Sequence, residues 1–153
     1  MKITDFLSVQ TVIPVLEARD KKTVLEEMAK WLASQHQRLD SARLLHVLLE
    51  REKISTTAIG EGVAIPHGKL PDVERVLGVF GRSPKGIDFD SLDGEPTYLF
   101  FTLIAPEGAA ADHLKALARI SRLLKDRSFR DRLMQGQTRE EIFRIISEED
   151  QKF

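Results

Sequence analysis

The sequence predicts an α/β fold, a mixed β-sheet of about four or five strands flanked by helices. Three observations carry this. Apolar residues recur at helical spacing in several separate segments, and short β-branched or aromatic runs lie between those segments. One of the runs, Tyr98 to Ala105, is apolar on both faces; its length and its aromatic and β-branched content fit a covered central strand, while its periodicity alone is equally that of a buried helix. With 153 residues, 42% hydrophobic content and only 9 Gly and 6 Pro, residues 1–153 suit a single domain with a proper core.

In chain order, Val12 to Leu16 reads as a strand with Pro14 near an edge or its start. Asp20 then caps a helix whose Val24, Leu25, Met28, Trp31 and Leu32 face inward, opposite Glu26, Glu27 and Lys30. His36 falls in a polar helix end, as a solvated side chain. Asp40 or Ser41 opens a second helix with Leu44, Leu45, Leu48 and Leu49 buried and His46 off that stripe, ending near Lys53. Val63 to Ile65 is a short buried segment, Glu74 to Arg82 alternates into a strand, and Ser83 to Pro96 is a turn-rich link. After Tyr98 to Ala105, Pro106 and Gly108 end the strand. A helix begins between Ala109 and Asp112, with Leu114, Leu117, Ile120 and Leu124 inward. The cations from Lys115 to Arg132 read as a solvated helix face or a docking face. The run T-R-E-E from Thr138 is a capping box opening a last helix with Ile142, Phe143, Ile145 and Ile146, and the tail from Glu148 to Phe153 frays.

Charge and composition narrow the function. The 23 basic and 24 acidic residues give a formal charge of -1, so there is no overall field for nucleic acid or an anionic membrane. Phe129 is the only aromatic among the Lys115 to Arg132 cations, too few for stacking single-stranded bases. No stretch approaches the ~20 apolar residues of a membrane span. With zero cysteines, disulfides are excluded and a cytoplasmic protein is expected.

The informative stretch is Thr57 to Lys69, T-A-I-G-E-G-V-A-I-P-H-G-K, in which His67 stands between Pro66 and Gly68. Pro66 fixes φ and pushes Ile65 towards extended geometry, and Gly68 permits conformations closed to other residues, so His67 is expected in a rigid turn. No cysteine, adjacent carboxylate or second histidine at metal-ligand spacing accompanies it, and no Walker loop is present. What remains is acid–base work or the imidazole as nucleophile, against a turn histidine that only packs. His113 falls in the first turn of a helix, where free backbone amides favour an anion, or is simply a helix-start histidine. Asp112 beside it either orients the ring or begins the helix.

At these residues the chain resembles the IIA domains of the bacterial phosphotransferase system, in the fructose, mannitol and nitrogen-regulatory branch. Every position of the T-x-[IL]-G-x-[GS]-[IV]-A-[IV]-P-H-[GA] pattern is matched from Thr57 to Gly68, and the resemblance covers nearly the whole chain. It implies the same α/β architecture and a phosphotransferase-class relay: His67 accepts a phosphoryl group through Nε2 from a histidine-phosphorylated, HPr-like carrier, His113 positions that group and Arg51 clamps its oxygens. Thr57 at the loop base and Gly68 would lie beside the transferring group. Read by itself, Arg51 is equally a cation at a helix C-terminus. The family's nitrogen-regulatory members often read T-H-L-H-T-L around the second histidine, whereas this chain reads D-H-L-K-A-L, so Lys115 replaces the second histidine of that pair. The wording I-G-E-G-V-A-I-P-H-G-K-L resembles the nitrogen-regulatory group most, which implies regulated protein partners, no cofactor and no bound metal. A sugar-transport IIA domain feeding a IIB domain, and a binding module that never takes phosphate, are the alternatives. For carrier docking, Ala58, Gly60, Gly62 and Ala64 are expected to leave room around His67.

Overall fold

The computed structural model describes residues 1–153. Six strands, β1 (Val12–Ile13), β2 (Ala58–Gly60), β3 (Val63–Ala64), β4 (His67–Leu70), β5 (Leu77–Ile87) and β6 (Thr97–Pro106), form one mixed sheet. Helices α1 (Lys21–Gln35) and α2 (Ser41–Ile54) cover one face, and α3 (Ala110–Leu124), α4 (Arg127–Gln135) and α5 (Arg139–Gln151) cover the other. The side chains of β6 divide accordingly. Leu99, Phe101, Leu103 and Ala105 enter the core under α3 to α5, while Phe100 and Ile104 enter the core under α1 and α2. Period-2 alternation thus puts apolar residues into both layers, as the continuous run requires.

β6 organises the sheet. β5 runs antiparallel along one edge, and β3 and β4 run parallel along the other, one after the other, with Ile65 and Pro66 between them. Pro66 has no N–H for a ladder, but its carbonyl accepts from Leu103 N–H at 2.9 Å, so the break costs no buried acceptor.

The sheet holds more strands than the spacing suggests, because β2 and β4 are too short for alternation to show. The turn between β2 and β3 uses Gly60, Glu61 and Gly62 at φ of 102°, 58° and 76°. Those two glycines serve the hairpin. At the other end of the sheet, β1 stops at Ile13 since Pro14 cannot continue the ladder, although Leu16 N–H still reaches the Arg82 carbonyl at 2.8 Å. β5 runs on through Pro84 to Ile87 past an irregularity in register, where the ladder does not need the missing N–H, so the link read as beginning at Ser83 starts later.

The helix starts follow the caps. Asp20, Asp40 and Thr138 accept from Thr23, Ala42 and Glu141 N–H, and Asp126 caps α4, which the dense cations had concealed. Trp31 is only partly buried at the rim of the core, with its indole N–H on the Gln10 carbonyl at 2.7 Å. Leu114 points outward, and His113, Ala116, Ile120, Leu123 and Leu124 form the inner face of α3 instead. The tail does not fray: Glu149 and Asp150 are buried, Arg119 pairs with Asp150 at 2.9 Å, and Lys2 Nζ donates to the Asp150 carbonyl at 2.9 Å. Within the cation run, Arg119 is held by Asp150, Arg130 reaches Glu61 at 3.5 Å and Arg132 pairs with Glu148 at 3.1 Å.

Arg82 is the most demanding residue of this frame. Its guanidinium is buried and donates to the carbonyls of Pro14, Leu133, Met134 and Gly136, closing the end of α4 against β1 and β5. Burial pushes its pKa down, yet no pH near neutrality discharges an arginine. Arg82→Met keeps the volume but strands those acceptors. Urea unfolding should show a loss of about 2 to 4 kcal/mol; a loss below about 0.5 kcal/mol would contradict the assignment.

Candidate functional site

The edge of β6 that carries β4 lies between the two helical layers, so the first residue of β4 can be reached from both. His67 is that residue. It opens a strand rather than sitting in a turn, paired in register with Leu103. From one layer α2 brings Arg51 in its last turn; from the other α3 brings His113 in its first. The cleft between them, about 780 Å³, is lined by Val47, Arg51, Ile54, His67, Gly68 and Leu114, among others.

The hydrogen bonds settle the tautomer of His67. Its Nδ1 lies 2.7 Å from the Ile65 carbonyl oxygen, which can only accept, so Nδ1 carries the proton. Its Nε2 lies 3.3 Å from Arg51 Nε, which can only donate, so Nε2 presents a lone pair. Both partners demand the same neutral imidazole. Arg51 also donates to the Ser55 carbonyl at 2.9 Å, so its role at the helix end and its contact with the imidazole coexist.

The His113 ring stands edge-on to His67, with centroids 5.4 Å apart. It is buried, and its Nδ1 has no hydrogen-bond partner. Asp112 is exposed and leaves that nitrogen unsatisfied, so it only begins the helix. Burial pushes the His113 pKa down to about 4, with the neighbouring His67 and Lys69 acting in the same direction. Burial also holds His67 below 6.5; its bond to Ile65 and the charge of Glu52 oppose this, and Arg51 adds to it. Two neutral imidazoles and the Arg51 guanidinium therefore share, near pH 7, a cleft that Lys53, Lys69 and Glu50 also line. A lone pair on Nε2 beside a guanidinium suits an incoming anion and works against a bound metal cation.

Gly68 lines the cleft for a different reason from the one its type suggests. It has no positive φ, and a Cβ there would come 3.1 Å from Val47 Cγ2, so glycine lets β4 lie close against α2. Thr57 does not face His67. Its hydroxyl donates to Glu52 Oε2 and its N–H to Glu52 Oε1 at 3.0 Å, so it is fully engaged behind the site. The small residues expected to leave docking room are elsewhere too: Ala58 and Ala64 are buried, and Gly60 and Gly62 pack near Asp93 and Tyr98. The apolar rim is made instead by Ile54, 80% exposed, and Leu114, 66% exposed. Helical spacing is the signal that points to Glu52: it stands four residues after Leu48 on the buried stripe of α2, where a carboxylate must find partners.

The histidine at α3 makes stability depend on pH. A group whose folded pKa lies below its unfolded value near 6.5 binds fewer protons in the folded state, so stability declines as pH falls from about 6.5 towards about 4. His113→Asn should flatten that decline. Urea midpoints at pH 7 and pH 5 should differ less in the variant than in the wild type, and an unchanged difference would mean that His113 titrates normally.

The residues now placed around this cleft belong to a chain whose positions 5–149 match the family model described as phosphoenolpyruvate-dependent sugar phosphotransferase system, EIIA 2. A nitrogen regulatory protein of Bradyrhizobium diazoefficiens is 46% identical over 147 residues, covering 96% of this chain and 95% of the relative. The fructose-specific EIIABC component of Bacillus subtilis is 39% identical over 98% of this chain, which spans only 24% of that longer protein. Among solved structures, nitrogen regulatory protein IIA-Ntr from Neisseria meningitidis superposes with a TM-score of 0.88 at 33% identity, covering 94% of this chain and 98% of that one. The chain belongs to the phosphotransferase-system EIIA 2 family. No helix in it is long and apolar enough to cross a membrane.

Proposed function

We propose that this EIIA-family chain is a phosphohistidine relay protein that takes a phosphoryl group on His67 Nε2 from a histidine-phosphorylated, HPr-like carrier, and that controls partner proteins through the phosphorylation state of that face. The observation that carries this is the lone pair of Nε2, fixed by the Ile65 bond and aimed into the cleft beside Arg51. In the transfer, the P–N bond to the carrier's imidazole breaks as a P–N bond to Nε2 forms, and the electron pair of the broken bond stays on the carrier's nitrogen. The positive character that His67 acquires spreads to Nδ1–H, which the Ile65 carbonyl already holds. Arg51 moves its donors from Nε2 to the phosphoryl oxygens, and His113, a neutral imidazole whose ring centroid lies 5.4 Å from that of His67, has one ring N–H that it can turn towards them.

The exposed Ile54 and Leu114 supply the apolar contact a docking carrier needs. A phosphoryl group adds roughly -1.5 to -2 charges between them, enough to change what binds there. The match to a nitrogen regulatory protein over nearly the full length of both chains supports the regulatory output. The match to a fructose-specific component supports a second reading, in which the group passes on to a IIB domain.

Incubation with a phosphorylated carrier should add one acid-labile phosphoryl group by intact mass, and none to His67→Ala. Labelling of His67→Ala at the wild-type rate would remove His67 as acceptor. Arg51→Ala and His113→Ala should slow acceptance by about 10- to 1000-fold while the fold persists. Rapid, complete loss of label to a fructose-type IIB domain, with no partner whose binding depends on phosphorylation, would favour transport.

Docking is separable from chemistry. Leu114→Asp places a charge on the rim without touching His67, so the carrier concentration giving half-maximal rate should rise about 10-fold or more, with the saturated rate close to wild type. A fall in the saturated rate alone would place Leu114 in the transfer step.

A further inference from the structure

Glu52 lies behind His67 with its side chain 5% exposed. A carboxylate there needs partners, and it has three donors: Lys21 Nζ at 3.1 Å, Thr57 N–H at 3.0 Å and the Thr57 hydroxyl. The contacts continue beyond Thr57. Its carbonyl accepts the Ile65 N–H at 3.0 Å, and the Ile65 carbonyl accepts from His67 Nδ1 at 2.7 Å. An unbroken series of hydrogen bonds therefore runs from Glu52 to the nitrogen opposite the reactive one. Arg51, its neighbour in the same helical turn, contacts the other nitrogen directly. Both nitrogens of His67 are thus referenced to the end of α2, one through Arg51 and the other through Glu52 and Thr57.

We infer that Glu52, acting through Thr57, is a positioning residue for His67: it fixes the Ile65 carbonyl that keeps the proton on Nδ1 and the lone pair on Nε2. Its importance for phosphoryl transfer rests on the reading of His67 as acceptor; its control of the tautomer does not. If Glu52 only anchored the end of α2, its loss would lower stability and leave the imidazole as it was. If it positions the ring, its loss frees the Thr57 to Ile65 segment, and the Nδ1–H and Nε2–H forms then compete.

The test uses the unphosphorylated full chain labelled with 15N in its histidines, with long-range 1H–15N spectra at pH 7.5 reporting the tautomer of His67. The Trp31 indole signal, set by its bond to Gln10, reports that the fold is kept. The wild type should show His67 protonated at Nδ1. Thr57→Val removes the hydroxyl at almost constant volume, and Glu52→Gln leaves one acceptor oxygen where there were two. Both should shift His67 towards a mixture of tautomers and slow phosphoryl acceptance by about 10- to 100-fold. Thr57→Ser should restore both readouts. A wild-type tautomer in Thr57→Val and Glu52→Gln overturns the inference, whether or not stability or rate falls. A shifted tautomer in these variants, with no phosphoryl uptake by the wild type, would uphold the positioning and remove the acceptor role instead.

Discussion

The hydrogen bond from His67 Nδ1 to the Ile65 carbonyl decides what the cleft can do. Without it only the Arg51 contact would hold the imidazole in one tautomer, and the ring could present either nitrogen. The bond requires the Ile65 carbonyl to turn back towards the ring, only two residues along the chain. Pro66 makes this possible by interrupting the strand between β3 and β4, and β6 makes it rigid by pairing with the segments on both sides of the interruption. The break in the edge strand is therefore where the backbone leaves its ladder to serve a side chain. That the flanking segments are short follows from the same arrangement.

Much of this was legible in the sequence, and the exceptions share a cause. Asp20, Asp40 and Thr138 announce their helices because capping is local chemistry. Tyr98 to Ala105 announces a doubly covered strand because eight successive residues carry the signal. His67, His113 and Arg51, the candidates the sequence offers, meet around one cleft. What escaped depends on partners distant in the chain. Thr57 reads as a loop residue beside the site until Glu52 is seen to take both its donors. The tail from Glu148 reads as polar and free until Arg119 and Lys2 are seen to hold it, and Leu114 reads as core because helical spacing alone does not say which of two adjacent stripes faces the sheet. Gly68 reads in the sequence as backbone freedom, whereas the space it leaves for Val47 is what the fold uses.

The electrostatics of the cleft complete the picture. Two imidazoles share a confined space, and protonating either would set a positive charge beside Arg51. Burial keeps both neutral, so Arg51 is the one fixed charge aimed at Nε2. In the proposed transfer a phosphoryl group brings roughly -1.5 to -2 charges to a cleft lined by Arg51, Lys53 and Lys69 as well as Glu50, and so largely offsets its positive charge. Because Ile54 and Leu114 flank the same cleft, that change of charge would fall between two exposed apolar side chains. Charge and apolar contact then act on one partner together. On the proposed reading, a partner that buries the rim must also accommodate whatever sits on Nε2, and a change confined to one nitrogen atom would be read by a whole interface.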